Sequence, residues 1–205
     1  TKRASYRQVT IEVLDYILLE MTDNAGGFYS ATDADSEGVE GKFFVWTPAE
    51  VQAVLQNAED TRRFCTCYDI TDQGNWEHRN IPNRLRPIEA VLKELNLTSD
   101  ELSETIYRVR PLLYRARQAR VPPGLDDKII TAWNGMLISA LAEAGRVLGV
   151  SRYIDGAMKA ADFLLLVHRT AEGALLRTSR QGRAHLDGVL EDYADLAEGL
   201  IDLYE

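Results

Sequence analysis

The stretch Asp126–Gly149, DDKIITAWNGMLISALAEAGRVLG, limits the fold more than any other part of this chain. Ile129, Ile130, Trp133, Met136, Leu137, Ala140, Leu141, Ala144 and Leu148 recur at three-and-four spacing, which predicts one long helix with those side chains on its buried stripe. Asp126 and Asp127 fall where the positive end of the helix dipole favours carboxylates. Gly149 falls where helices commonly stop in the left-handed conformation. Small residues (Gly135, Ser139, Ala140, Ala142, Gly145) allow close neighbours, as an inner helix of a packed array needs. Asp126, Asp127, Lys128, Thr131, Trp133 and Asn134 all occupy its first two turns, so a site belongs at that end.

Further helices are predicted on both sides. Ala4–Met21 carries a stripe of Tyr6, Val9, Val13, Leu14, Ile17, Leu18 and Met21. Thr47-Pro48-Ala49-Glu50 and Thr98-Ser99-Asp100-Glu101 are capping boxes, in which Thr and Glu satisfy each other's free backbone donors. Asp60–Cys67 and Pro87–Leu95 read as short helices, and Val121-Pro122-Pro123-Gly124 ends a longer one. Ser151 is expected to cap another helix, and Leu186–Glu205 closes the chain with Leu190, Tyr193, Ala194, Ala197, Leu200, Ile201 and Tyr204. Phe28–Ser30 and Lys42–Trp46 read as strands around the acidic loop Ala31–Gly41. Glu172–Arg183 reads as a second strand-turn segment.

Strand-like segments therefore sit in helix connections, which excludes a sandwich or a βαβ array. Gly27–Trp46 and Gly173–Tyr193 share one order: glycine, a short apolar strand, a polar loop, then a helix. Tyr193 is read as the counterpart of Trp133. Helix pairs that repeat in this way bury their faces by stacking side by side. Curved into a ring they form an all-α, α/α toroid with short β-hairpins in the helix connections and a central cleft. The whole of 1–205 is expected to be a single toroid fragment.

The formal net charge of −9 argues against a nucleic-acid or anionic-membrane surface. No apolar run reaches the roughly 18 residues a bilayer span needs, and TKRASYRQVTIEV lacks a signal peptide's apolar block. With no initiator methionine and no cap before the first helix, the chain is expected to come from inside a longer protein. Cys65 and Cys67 are read as reduced, buried hydrophobes, and the expected location is cytoplasmic. Arg177, Arg180 and Arg183 are read as a solvated hairpin tip.

GGFYSATDADSEGVEGKFFVWT (Gly26–Thr47), DDKIITAWNGMLISALA (Asp126–Ala142) and LEDYADLAEGLIDLYE (Leu190–Glu205) together resemble the YyaL/spermatogenesis-associated protein 20 family. The resemblance runs through nearly the whole chain in the right order. It implies a partial (α/α)6 toroid of the six-hairpin glycosidase type, related in fold to N-acylglucosamine 2-epimerases. It also implies that a thioredoxin-like domain with a CxxC motif precedes this region in full-length members. No CxxC occurs here, so redox chemistry is not carried over.

Candidate site residues follow from residue type and placement. Asp33 and Asp35, with Glu37 and Glu40, form the densest acidic cluster. Alternation in an extended loop would line up Asp33, Asp35 and Glu37 for acid–base work. An EF-hand is rejected because its twelfth position is Phe44. Asp127, and Asp192 at the equivalent start of the last helix, are the other candidate catalytic carboxylates. Two such groups facing one hollow are what a glycosidase requires. Trp46, Lys128, Trp133, Asn134 and Tyr193 are candidate sugar contacts, although the stripe also makes Trp133 a core residue. His78, His168 and His185 are read as surface or structural, spaced too irregularly for a metal; neither metal nor cofactor is expected. Two functions stand open: a carbohydrate-active epimerase or hydrolase, and a non-catalytic scaffold that docks the thioredoxin-like domain. The apolar stripe of the last helix is expected to meet absent chain or a second copy.

Overall fold

The computed structural model describes residues 4–205, so Thr1–Arg3 fall outside the described residues. The order is α1 (Ala4–Glu20), β1 (Tyr29–Thr32), β2 (Asp35–Ser36), β3 (Val39–Glu40), α2 (Pro48–Leu55), α3 (Ala58–Cys67), α4 (Ile88–Leu95) and α5 (Ser99–Gln118). Then come β4 (Leu125–Ile130), α6 (Thr131–Leu148), α7 (Ser151–Val167), β5 (Leu176–Arg180), β6 (Arg183–Asp187) and α8 (Leu190–Tyr204). The chain is predominantly helical, with short strands in the helix connections, as the sequence predicts. Two compact units divide it: Thr1–Thr32 with Leu125–Glu205, and Asp33–Gly124.

The first unit is an internal repeat, α1–β1·β4–α6 followed by α7–β5·β6–α8. After α1, Asp23 N donates to Gly27 O and Tyr29 N to Met21 O, both at 2.8 Å. After α7, Thr170 N donates to Ala174 O at 2.8 Å and Leu176 N to His168 O at 2.7 Å. Gly26 (φ 115°) and Gly173 (φ 92°) supply the same positive φ in each turn. Each turn feeds an antiparallel strand pair, β1 with β4 (Thr32 opposite Leu125) and β5 with β6 (Arg180 opposite Arg183). The second pair closes through Gln181 and Gly182, both at positive φ, as a tight hairpin demands. Where that two-residue turn stands, the first pair carries all of Asp33–Gly124.

The repeated helices lie in two layers. α1 and α7 run parallel, joined by Arg152 to Asp15 at 2.8 Å and by the Tyr153 hydroxyl to Asp15 at 2.9 Å. α6 and α8 also run parallel. Their backbones meet at Gly135, where an added Cβ would lie 2.5 Å from the carbonyl carbon of Asp195. α7 returns antiparallel to α6 after Gly149, whose φ of 68° is the left-handed stop expected. Between the layers Ile138, Leu141, Tyr153, Ala157, Phe163, Leu164 and Leu196 form the core.

Several expectations need correction. Asp126–Ile130 are strand, not the first turn of a helix: Ile129 pairs with Tyr29 of β1 and Ser179 of β5. β-Branched Ile129 and Ile130 suit that half-buried position, and α6 begins only at Thr131. The dipole role given to Asp126 and Asp127 therefore falls away. On α6 the buried face runs through Ala132, Gly135, Ile138, Leu141, Ala142 and Gly145, while Trp133 and Met136 face outward. Backbone contact at glycine, rather than the largest apolar side chains, selects the face. Ser151 is the first helical residue of α7 and makes no cap; Val150 precedes it.

The second unit, Asp33–Gly124, begins with the acidic hairpin β2–β3, turning at Glu37 and Gly38, both at positive φ. Lys42–Phe44 continue as turn rather than the expected strand, and of that segment Trp46 makes an isolated bridge with Asn80. Both predicted capping boxes form, Thr47 with Glu50 on α2 and Thr98 with Glu101 on α5. Asn96 ends α4 in the left-handed conformation. Trp46, Val51, Phe64, Cys65, Ile70, Val109 and Leu113 make one core. Cys67, Val91, Leu95 and Leu102 make another. Cys65 and Cys67 are free and buried on α3, and burial, with Asp72 adding, pushes the Cys65 thiol up to about 11. A thiol so protonated is a packing group rather than a nucleophile.

Candidate functional site

In the first unit, the strand–helix junctions gather polar chemistry at the common start of α6 and α8. The Asp192 carboxylate, fully buried, accepts from Ala132 N at 3.1 Å and from Val189 N at 2.9 Å. One side chain thus satisfies free backbone donors at the start of both helices and fixes them side by side. Trp133, 51% exposed, follows Ala132; Tyr193, 42% exposed, follows Asp192.

Charged groups frame them in pairs. Lys128 lies 3.2 Å from Asp126, Arg180 Nε donates to Asp127 Oδ1, and Arg177 lies 2.8 Å from Glu191 and 3.6 Å from Asp192. Against the penalty of burial, the side chain and backbone N–H of Lys128 hold the Asp126 carboxyl below its ordinary range. Tyr29, beside β4, donates to Asp23 at 2.8 Å. Burial, then the Asp23 carboxylate, raises its hydroxyl to about 12.

Beneath this surface lies a buried polar chain. Thr131 Oγ1 donates to Leu176 O at 2.6 Å and stands 2.7 Å from His168 Nδ1; His168 Nε2 stands 2.7 Å from Ser179 Oγ. All three side chains are fully buried. The lone hydroxyl hydrogen of Thr131 is taken by Leu176, so His168 Nδ1 carries a proton and Nε2 accepts from Ser179. Burial, outweighing the Leu176 backbone and Asp192, lowers His168 to about 4, which keeps the ring neutral at neutral pH.

Of the residues singled out by sequence, Asp127, Lys128, Trp133, Asn134, Asp192 and Tyr193 fall in the first unit, near these junctions. Asp33, Asp35 and Trp46 fall in the second. Three of them have structural duties that withdraw them from contact with a ligand. The buried Asn134 amide accepts from Phe28 N at 2.7 Å and donates to Phe28 O and Ile130 O at 3.0 Å. Trp46 is buried under the Arg120 guanidinium, 4.1 Å above its ring. Asp192 is the bridge already described. Asp33 and Asp35 are exposed, and Glu37 sits in the hairpin turn, so the three do not form the expected row. Among the described residues no group of three or more His, Cys, Asp or Glu side chains is arranged to hold a metal, and no helix is long and apolar enough to cross a membrane.

The repeat also changes one equivalence. Tyr193 Oη accepts from Leu175 N at 2.9 Å, as Asn134 Oδ1 accepts from Phe28 N. Tyr193, the fourth residue of α8, thus corresponds to Asn134, the fourth of α6, and not to Trp133. Arg177, Arg180 and Ser179 went unrecognised as site residues. The local order of β5 does not mark them, and only its pairing with β4 brings Ser179 opposite Ile129 and Arg180 to Asp127.

Human spermatogenesis-associated protein 20 is 34% identical over 233 aligned positions, which take in 98% of this chain. The mouse protein of that name is 31% identical over the same share, and an uncharacterized Caenorhabditis elegans protein is 27% identical over 99%. The chain belongs to the spermatogenesis-associated protein 20 family. It spans 30% of the length of the human relative. No protein-family model matches it. Among solved structures, the cellobiose 2-epimerase of Bacillus thermoamylovorans is 15% identical with a TM-score of 0.37, over 98% of this chain and 50% of that one.

Proposed function

We propose that this region forms part of an (α/α)6 toroid of the six-hairpin glycosidase type and binds a sugar-like small molecule at the start of α6 and α8. The supporting observation is the Asp192 bridge, which ties the starts of α6 and α8 together, with half-exposed Trp133 and Tyr193 each one residue beyond it and ion-paired side chains on the adjoining strands. An exposed indole offers the flat apolar face on which a sugar ring stacks. Asp126, Asp127, Lys128, Arg177, Arg180 and Glu191 supply donors and acceptors for hydroxyls. Asp127 is the acid–base candidate for epimerase- or hydrolase-like chemistry. Titration of neutral oligosaccharides and amino sugars, followed by tryptophan fluorescence, tests the reading. Saturable binding weakened at least about tenfold by Trp133→Ala supports it, that factor corresponding to about 1.4 kcal/mol. Flat titrations with every sugar remove it.

A second reading, a scaffold that docks a thioredoxin-like domain or another copy, draws on the exposed Leu190, Ile201 and Tyr204 of α8. A concentration-independent monomer by sedimentation, together with no capture of a thioredoxin-like domain of a family member, counts against it.

A further inference from the structure

We infer that His168 is a positioning residue that works as an acid-operated latch, tying the end of α7 to the first residue of α6 and to β5. Its two ring nitrogens grip two hydroxyls, Thr131 on one side and Ser179 on the other, each at 2.7 Å. Thr131 opens α6, two residues before Trp133. Ser179 pairs with Ile129 of β4 and precedes Arg180, the partner of Asp127. The latch therefore holds both the helix that carries the exposed indole and the strands that carry the adjacent ion pair. It rests on the α6–α8 reading of the site, but its signals need no ligand.

Acid acts on this arrangement through hydrogen-bond polarity. In the neutral ring Nε2 accepts the Ser179 hydroxyl hydrogen, while Thr131 Oγ1, its own hydrogen engaged by Leu176 O, accepts from Nδ1. A proton on Nε2 turns that acceptor into a donor. The Ser179 hydrogen must then swing away from the ring, and a cation stands fully buried. The facing titratable groups come from α8 and β6. Asp192 favours the cation and His185 opposes it, while Phe163 of α7 packs 5.6 Å from the ring. Burial outweighs Asp192, so the unfolded chain takes up the proton first. The stabilisation is complete above the ordinary histidine range, drains as the pH falls from there towards about 4, and is gone below it.

The equivalent position of the first repeat argues that the latch is an addition and not a requirement of the turn. There Met21 takes the place of His168, offering the same backbone carbonyl to Tyr29 N at 2.8 Å. The turn geometry is kept without any imidazole, so the imidazole does something the turn does not need.

Two measurements on the protein test this. The His168 ring, followed by NMR from pH 7.5 to 3.5, is expected to stay neutral through pH 5.5, with one nitrogen protonated and one accepting. The Trp133 indole resonance is expected to shift as the ring charges. In parallel, Tm is expected to drop by about 5 °C more between pH 6.5 and 4.5 in the wild type than in His168→Gln, an amide that bonds but does not titrate there. A ring that titrates in the folded protein at pH 6 or above overturns the proposal, and so do identical pH profiles for the two proteins. Should His168→Gln fail to fold, the ring titration and the indole shift decide alone. Sugar titrations at pH 7.5 that show no binding would overturn the ligand reading and leave these outcomes unchanged.

Discussion

The two halves of the first unit use one plan with different fillings. In the second, a Gln181-Gly182 turn closes β5 on β6; in the first, the same connection carries Asp33–Gly124 between β1 and β4. Both halves clamp the backbone after the glycine turn with the fourth residue of the following helix. One uses a buried amide with three bonds, the other a half-exposed phenol with one. The position tolerates an insertion because the strand pair on either side is already closed by its own ladder. The clamps differ because α6 is enclosed by α7 and α8, whereas the equivalent face of α8 is exposed among the described residues.

That contrast is most open to attack at the helix crossing. Gly135→Val places a β-branched side chain against the backbone of Asp195 and Leu196, and is expected to destabilise by about 3 kcal/mol or more in denaturant unfolding. The same change at Ala194, the equivalent fifth residue on the exposed side of α8, is expected to cost about 0.5 kcal/mol. Equal losses would show that the two faces are not differently enclosed. Next in size is Asn134→Ala, which leaves the buried amide and carbonyl of Phe28 without partners and is expected to cost about 2–3 kcal/mol. Tyr193→Phe gives up a single bond and should cost about 1 kcal/mol by the same measurement. Arg180→Ala removes a largely exposed ion pair and should lower stability by less than about 1 kcal/mol, diminishing further with salt. The smallest effect on the first unit is expected from replacing Asp33–Gly124 by Gln-Gly. Circular dichroism of that shortened chain should still show helices melting in one cooperative step, and a non-cooperative melt would mean that the two halves are not versions of one plan.

Much of the candidate site escaped a linear reading for an identifiable reason. Ile129 and Ile130 continue the three-and-four pattern of α6 without a break, so periodicity joins strand to helix; the partner strands that decide otherwise lie about a hundred residues upstream and fifty downstream. Trp133 and Met136 look like core because they are large and apolar. Yet Gly135 and Gly199 let two backbones approach, and that approach turns the larger side chains outward. Asp192 looked like a catalytic carboxylate because its residue type and helix-start position suit both catalysis and capping. Only burial and the donors from Ala132 and Val189 distinguish the two roles.

Local chemistry, then, is what the sequence determined by itself: the Thr–Glu capping boxes at α2 and α5, the stops at Gly149 and Asn96, the helical character, and the existence of a repeat. Each depends on residues within a few positions of one another, whose hydrogen bonds close inside a single turn. Tertiary structure alone decided which face of α6 is buried, where β4 ends, what Asn134, Tyr193 and Asp192 hold, and that His168 meets Thr131 and Ser179. Those outcomes rest on strand pairing and backbone contact between segments far apart in the chain, which no local pattern encodes.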